Sequence, residues 1–222
     1  MQPIHKRART DDQKRWRRAE ILRAAEKLFE EVGYEAFAMA RLGKSAGVVK
    51  GTLYLYFKTR EEVFLALYDQ ALTRWSFALA ENLGTGLDQS AYAKGFFEAA
   101  AQEKNLIPLL GRLEKVIEHN VSIERLIDSK RNFIQCLERV ADATAPVLGL
   151  PADQAMDLVK TLGVLLVGVS AADLAPDLRQ ETLPSEVRAL IDSFDSKTLF
   201  IKNAQRIIEA QRAETNTGVS PA

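Results

Sequence analysis

Apolar side chains recur three and four positions apart along almost the whole chain, and no segment alternates apolar with polar residues as a half-buried strand does. That period confines the chain to an all-α fold. A basic arm at residues 1–9 is expected to be disordered, and Thr10-Asp11-Asp12-Gln13 has the form of a capping box opening the first helix. That helix carries the stripe Ile21, Ala25, Leu28, Phe29 and Val32 and ends at Gly33. Short helices follow near residues 39–46 and 50–57. A second capping box, Thr59-Arg60-Glu61-Glu62, starts a long helix through Val63, Phe64, Leu67 and Ala71 to about Leu83. After the break at Gly84-Thr85-Gly86, helices are expected over 88–102, 104–119, 122–145, 154–174, 185–193 and 196–213, with a longer connection at 175–184.

Residues 39–57 carry the most specific pattern. Gly43 and Gly47 stand four apart, and Leu53 follows six residues after Gly47. This is what a helix-turn-helix requires: a small residue where two helices approach, a glycine in the tight turn, and apolar side chains filling the angle between them. Val48 and Leu53 fill that angle, with Leu42, Ala46 and Phe57 completing a small core under the first helix. Once Leu53 points inward, Lys50, Thr52, Tyr54 and Tyr56 have largely outward choices. A short helix exposing a lysine, a hydroxyl and two phenols suits a DNA major groove.

Charge distribution agrees. The net charge is zero, yet residues 1–60 hold 14 Lys+Arg against 7 Asp+Glu and the remainder holds 16 against 23. A basic N-terminal quarter on an acidic remainder fits one module for a polyanion and another for a different partner. The chain accordingly divides into a DNA-binding domain at 1–60 and a helical effector-binding and dimerisation domain at 61–222.

Arg18 through Phe64 resembles the N-terminal domain of the tetracycline-repressor (TetR) family of bacterial transcription regulators. The resemblance rests on Ile21-Leu22-Arg23-Ala24-Ala25, Leu28-Phe29, Gly33-Tyr34, Ala46-Gly47-Val48, Lys50-Gly51-Thr52-Leu53-Tyr54, Tyr56-Phe57, Glu61-Glu62 and Phe64. It implies an all-helical homodimer whose C-terminal domain binds a small ligand. By position, Lys50, Gly51, Thr52 and Tyr54 would lie on the recognition helix against bases and phosphates. Tyr56 would meet backbone, and Lys58 and Arg60 flanking phosphates. Two departures stand out: the family usually has Thr or Ser near positions 38 and 49, whereas this chain has Ala38 and Val49, which cannot cap a helix through a side chain. The arm adds Lys6, Arg7, Arg9, Lys14, Arg15, Arg17 and Arg18, of which Arg15 and Arg18 are expected on phosphate and Arg7 or Arg9 in a minor groove.

Downstream, Trp75, Phe97, Leu113, Val116 and Phe133 are expected to line a pocket for a largely apolar effector, although aromatic stripes also make plain core. Gly163, Val164, Val167 and Ala171, with Phe200, Ile201, Ala204 and Ile208, are expected to form a four-helix bundle with a second copy. The competing reading packs both helices inside one subunit.

Other classes are disfavoured. The single Cys136 and the two distant histidines, His5 and His119, leave no cysteine-rich or histidine-based metal site, and no cofactor is expected. No nucleophile motif, phosphate loop or paired catalytic carboxylates argue for an enzyme. The most apolar run, Leu162 to Val169, is too short for a membrane span, and the N-terminus begins with charge, so the expected location is the cytoplasm. The expected partners are double-stranded DNA, an unidentified small effector and a second copy of the chain. The leading reading is a repressor on a pseudo-palindromic operator; the alternative is a DNA-binding activator or architectural protein without an inducer.

Overall fold

Two glycines set the geometry of the N-terminal helices. A Cβ on Gly43 would lie 3.2 Å from the Val48 carbonyl oxygen, a tight contact, and 3.8 Å from Leu53 Cδ2, so a larger residue there would push the turn before the third helix out by a few tenths of an ångström. Gly47 turns the chain at φ +63, in the left-handed region. This computed structural model describes residues 4–84, 86–172 and 182–217, with side chains omitted at 4–10, 114, 115, 172, 216 and 217.

Helices occur in the order α1 (Ile4–Val32), α2 (Met39–Ser45), α3 (Lys50–Tyr56), α4 (Arg60–Asn82), α5 (Gln89–Gln102), α6 (Leu106–Leu110), α7 (Ile123–Leu148), α8 (Ala152–Ala172), α9 (Ser185–Ser193) and α10 (Ser196–Thr217). A π-helical turn, Leu113–Ile117, and a 3-10 turn, Glu118–Asn120, separate α6 from α7. No strand occurs among the described residues.

Three expectations need correction. The arm is not separate from the first helix: α1 begins at Ile4 and continues through residues 10–13. No proline or glycine interrupts that stretch, and Asp12 pairs with Arg15 one turn on. The single helix expected over 104–119 is broken, because Pro108 fits only the first turn of a helix and Gly111 follows the last residue of α6. Conversely, α7 passes through Pro146 to Leu148; the carbonyl this proline cannot pair belongs to exposed Asp142. Most of the expected connection at 175–184 lies outside the described residues.

The chain divides into two units, Met1–Gln70 with Arg112–Ser129, and Ala71–Gly111 with Lys130–Ala222. The first division falls inside α4 and the last inside α7.

In the first unit, Ile21, Ala25, Leu42, Leu53, Phe57 and Phe64 are almost wholly buried. Phe64 gathers Phe29, Tyr34 and Phe37 at ring-centre distances of 5.5, 4.6 and 4.8 Å. The return segment is tied in as well: Thr59 Oγ1 donates to the Asn120 carbonyl at 3.1 Å, Ser129 Oγ donates to Asp69 Oδ1 at 2.6 Å, and the Arg112 guanidinium lies 5.0 Å from the Tyr34 ring centre.

The second unit has an aromatic core. Phe96 stacks on Phe200 at 5.6 Å and meets Trp75 edge-on at 5.2 Å, while Phe97 tilts against Phe200 at 5.5 Å. The Thr144 hydroxyl donates to the Val140 carbonyl, leaving its oxygen to accept from the buried Tyr92 phenol at 2.6 Å. α10 packs on both α5 and α8. Among the described residues α8 alone has the length and apolar character of a membrane span; a soluble core helix has the same character, and this one carries Asp153, Asp157 and Lys160.

Candidate nucleic-acid interface

The surface of the first unit is organised around α3, held from below by Leu53, which is 1% exposed, and Phe57, also 1% exposed. Neither α2 nor α3 has a side-chain cap at Ala38 or Val49. Packing therefore carries these seven-residue helices, which are too short to persist alone.

From this base the expected site residues divide. Lys50, Gly51, Tyr54 and Lys58 are exposed, and Thr52 and Tyr56 half-buried. Lys50 Nζ lies 5.9 Å from the Tyr54 ring centre, one turn away on the same flank. The second capping box forms with a small shift: the Glu62 N–H donates to Thr59 Oγ1 at 3.1 Å, and Glu62 Oε2 accepts the Lys58 N–H at 2.8 Å. That arrangement fixes the backbone at Lys58, whose side chain stays in solvent.

Arg60, by contrast, is turned to the protein. Its guanidinium carbon lies 4.9 Å from the Tyr34 ring centre and 5.6 Å from that of Phe64, and its Nε donates to Glu61 Oε1 at 3.2 Å. Burial pushes the Tyr34 phenol above its ordinary value, with Arg60 pulling against it. Arg18 is turned inward too, 5.0 Å from the Phe57 ring centre, with its buried Nε unpaired. Burial lowers its pKa, and nearby Arg125 lowers it further. Arg15 remains exposed and paired with Asp12. Side chains of Arg7 and Arg9 lie outside the described residues.

Two exposed apolar side chains lie beside these groups: Val49, singled out in the sequence only as a missing cap, at 74% exposure, and Leu55, which the sequence reading did not single out, at 83%. Leu55 was legible in principle, since it stands two residues past the inward Leu53 and so on the far side of the helix. Arg41 and Lys44 add exposed cations on α2.

The expected pocket residues fall in both units. Trp75 and Phe97 are buried in the aromatic core of the second unit, whereas Phe133, at 36% exposure, stands at the surface of α7. Leu113 and Val116 belong to the first unit, half-buried in the π-helical turn.

The expected bundle residues also split. Phe200, Ala204 and Ile208 are fully buried within the chain, where α10 meets α5 and α8, so they are not available to a second copy. Val164 and Ala171 are exposed, Val164 at 74%, and Gly163, Val167 and Ile201 are half-buried.

Residues 21–67 match the family model described as bacterial regulatory proteins, tetR family, and residues 69–197 match the one described as tetracyclin repressor-like, C-terminal domain. Among curated proteins, the fatty acid metabolism regulator protein of Bacillus subtilis (strain 168) is 23% identical over 87% of this chain and 88% of that protein. The HTH-type transcriptional activator FasR of Mycolicibacterium smegmatis is 25% identical over 70% of each. The HTH-type transcriptional repressor AcnR of Corynebacterium diphtheriae is 38% identical over 30% of this chain and 35% of that protein. Among solved structures, the TetR family transcriptional regulator PfmR from Thermus thermophilus gives a TM-score of 0.48 at 22% identity, covering 78% of this chain and 96% of that one.

Proposed function

The chain belongs to the tetR family of bacterial regulatory proteins, which are transcription regulators and not enzymes, and from that premise we propose that it is a cytoplasmic repressor: a homodimer on a pseudo-palindromic operator, released by a small, largely apolar effector. The observation that carries the reading is α3 itself, a helix seated on Leu53 and Phe57 with Lys50, Gly51, Tyr54 and Lys58 in solvent. Lys50, Thr52 and Tyr54 contact bases and phosphates, and Tyr56 and Lys58 the flanking backbone. Arg15 reaches phosphate once it leaves Asp12. Arg18 and Arg60 position the elements around α3, given their contacts with Phe57, Tyr34 and Glu61.

One short recognition helix makes few base contacts, so a second copy is needed for affinity and specificity. The exposed face of α8 around Val164 and Ala171, with Gly163, Val167 and Ile201 beside it, is the face for that copy. The effector is held near Trp75 and Phe97. The Trp75 Nε1 donor is buried with no partner, which suits a ligand that brings an acceptor. Aliphatic acyl compounds are the first class to test, given the Bacillus subtilis relative's name.

α4 is one unbroken helix from Arg60 to Asn82. A ligand that favours one setting of α4 changes the spacing of the two recognition helices, and a coupling of about 1–3 kcal/mol is enough to alter occupancy several-fold or more. A second reading, an activator, is favoured by the Mycolicibacterium smegmatis relative, named as one.

Selection of duplex DNA from a random pool by the purified chain tests the core of this. A two-fold symmetric footprint is expected, with binding that falls steeply with salt. Ligands found by thermal shift should weaken operator binding, and operator should weaken theirs by the same factor. Independent affinities would remove the inducer from the proposal, and transcription with purified polymerase separates repressor from activator.

A further inference from the structure

α3 buries Leu53 and presents its other side chains in a fixed order around the axis. At about 100° per residue, Gly51 and Leu55 both fall within about 20° of the direction opposite Leu53. Lys50 and Tyr54 lie together on one flank, their cation–π contact holding the pair. Thr52 and Tyr56, both half-buried, lie on the other. The outermost ridge of the helix is therefore Gly51 followed one turn later by Leu55, and Leu55 is 83% exposed. Nothing stands within 4 Å of where a Cβ on Gly51 would be, so no contact inside the protein requires glycine there.

When such a helix enters a major groove with its buried side away from the DNA, its flanks meet the groove walls and its ridge meets the floor. Lysine and tyrosine on the flanks suit phosphate oxygens. The only side chain on the ridge has no hydrogen-bonding atom. A leucine on the groove floor has one apolar partner among the base edges, the C5-methyl group of thymine. We infer that Leu55 is a specificity-determining residue that packs on a thymine methyl in each half-site, and that the bare backbone at Gly51 lets the ridge come close enough for that contact. This inference rests on the DNA-binding reading above.

The test uses the full chain and a duplex chosen by it from a random pool, with each thymine replaced in turn by deoxyuridine, which lacks only that methyl. Fluorescence anisotropy reads the affinity. The expected result is a loss of about three- to fivefold at one thymine position in each half-site, roughly the worth of one buried methyl group. Leu55→Ala should bind the thymine duplex correspondingly more weakly and show no further loss with deoxyuridine at that position. Its melting temperature and salt dependence should match the wild type, since Leu55 is exposed and uncharged. Gly51→Ala should fold at least as well as the wild type, because the space is open and alanine favours a helix, yet bind the operator several-fold more weakly. Leu55→Ala keeping the full deoxyuridine penalty, or no thymine showing one, overturns the inference while leaving DNA binding intact. A wild-type chain that selects no sequence takes both readings down together.

Discussion

The two units use one helical vocabulary for opposite ends. In the first, seven-residue α2 and α3 are clamped by glycines and a handful of apolar residues, and the informative side chains point into solvent. In the second, rings from Trp75, Phe96, Phe97 and Phe200 close on each other, and the informative side chains point inward. An outward surface reveals its chemistry, because lysine, threonine and tyrosine held in solvent have few structural reasons to be there. An inward surface does not, because a ring that packs a core and a ring that meets a ligand obey the same apolar pattern.

The largest effect expected on this contrast is in the second unit. Phe200→Ala removes a ring packed against Phe96 and Phe97 and should cost about 3–5 kcal/mol in urea unfolding followed by circular dichroism. A loss under about 1 kcal/mol would mean the core around Phe200 collapses freely, and the contrast between rigid interior and functional exterior would blur. In the first unit, Leu53→Ala should cost about 2–5 kcal/mol and abolish operator binding, because α3 has no side-chain cap to hold it once its anchor is gone.

Smaller effects separate exposed from engaged cations. Lys58→Ala should lower the slope of log affinity against log salt by about one, the signature of a lost phosphate contact. Arg60→Ala should change that slope less and lower the melting temperature more, because its guanidinium already serves Tyr34, Phe64 and Glu61. Equal slope changes would return Arg60 to the DNA surface.

The smallest effect is a pH response in the second unit. Burial pushes the Tyr92 phenol up to about 12. The folded value exceeds the ordinary value of about 10, so the associated stability is complete below about pH 10 and is lost as pH rises toward 12. Tyr92→Phe should cost about 1 kcal/mol near neutral pH and flatten that alkaline decline. Unfolding midpoints from about pH 8 to 12 decide the matter.

Much of the first unit was legible because spacing fixes direction over short distances. Gly43, Gly47 and Leu53 specify the turn before any coordinate is known, and the surface of α3 follows. Arg18 and Arg60 were harder, since a long cationic side chain near the groove can reach phosphate or lie on an aromatic ring. The sequence carries no sign of which ring is near. In the second unit, the pattern on α10 correctly marked a buried stripe at Phe200, Ala204 and Ile208, but burial by α5 and α8 reads the same as burial by a second copy. The break after α6 was hidden too, because a π-helical turn shifts the register of the helical pattern that follows it.

The return segment Arg112–Ser129 has a practical consequence for anyone exchanging operator specificities among relatives. Thr59 is bonded to Asn120, Asp69 to Ser129, and Tyr34 lies beneath Arg112. A graft of residues 1–60 alone would sever the ties of Thr59 to Asn120 and of Tyr34 to Arg112, which join stretches far apart along the chain. The transplantable cassette is discontinuous, and a chimera that carries both pieces should inherit its donor's promoter preference more faithfully than one that carries the contiguous stretch.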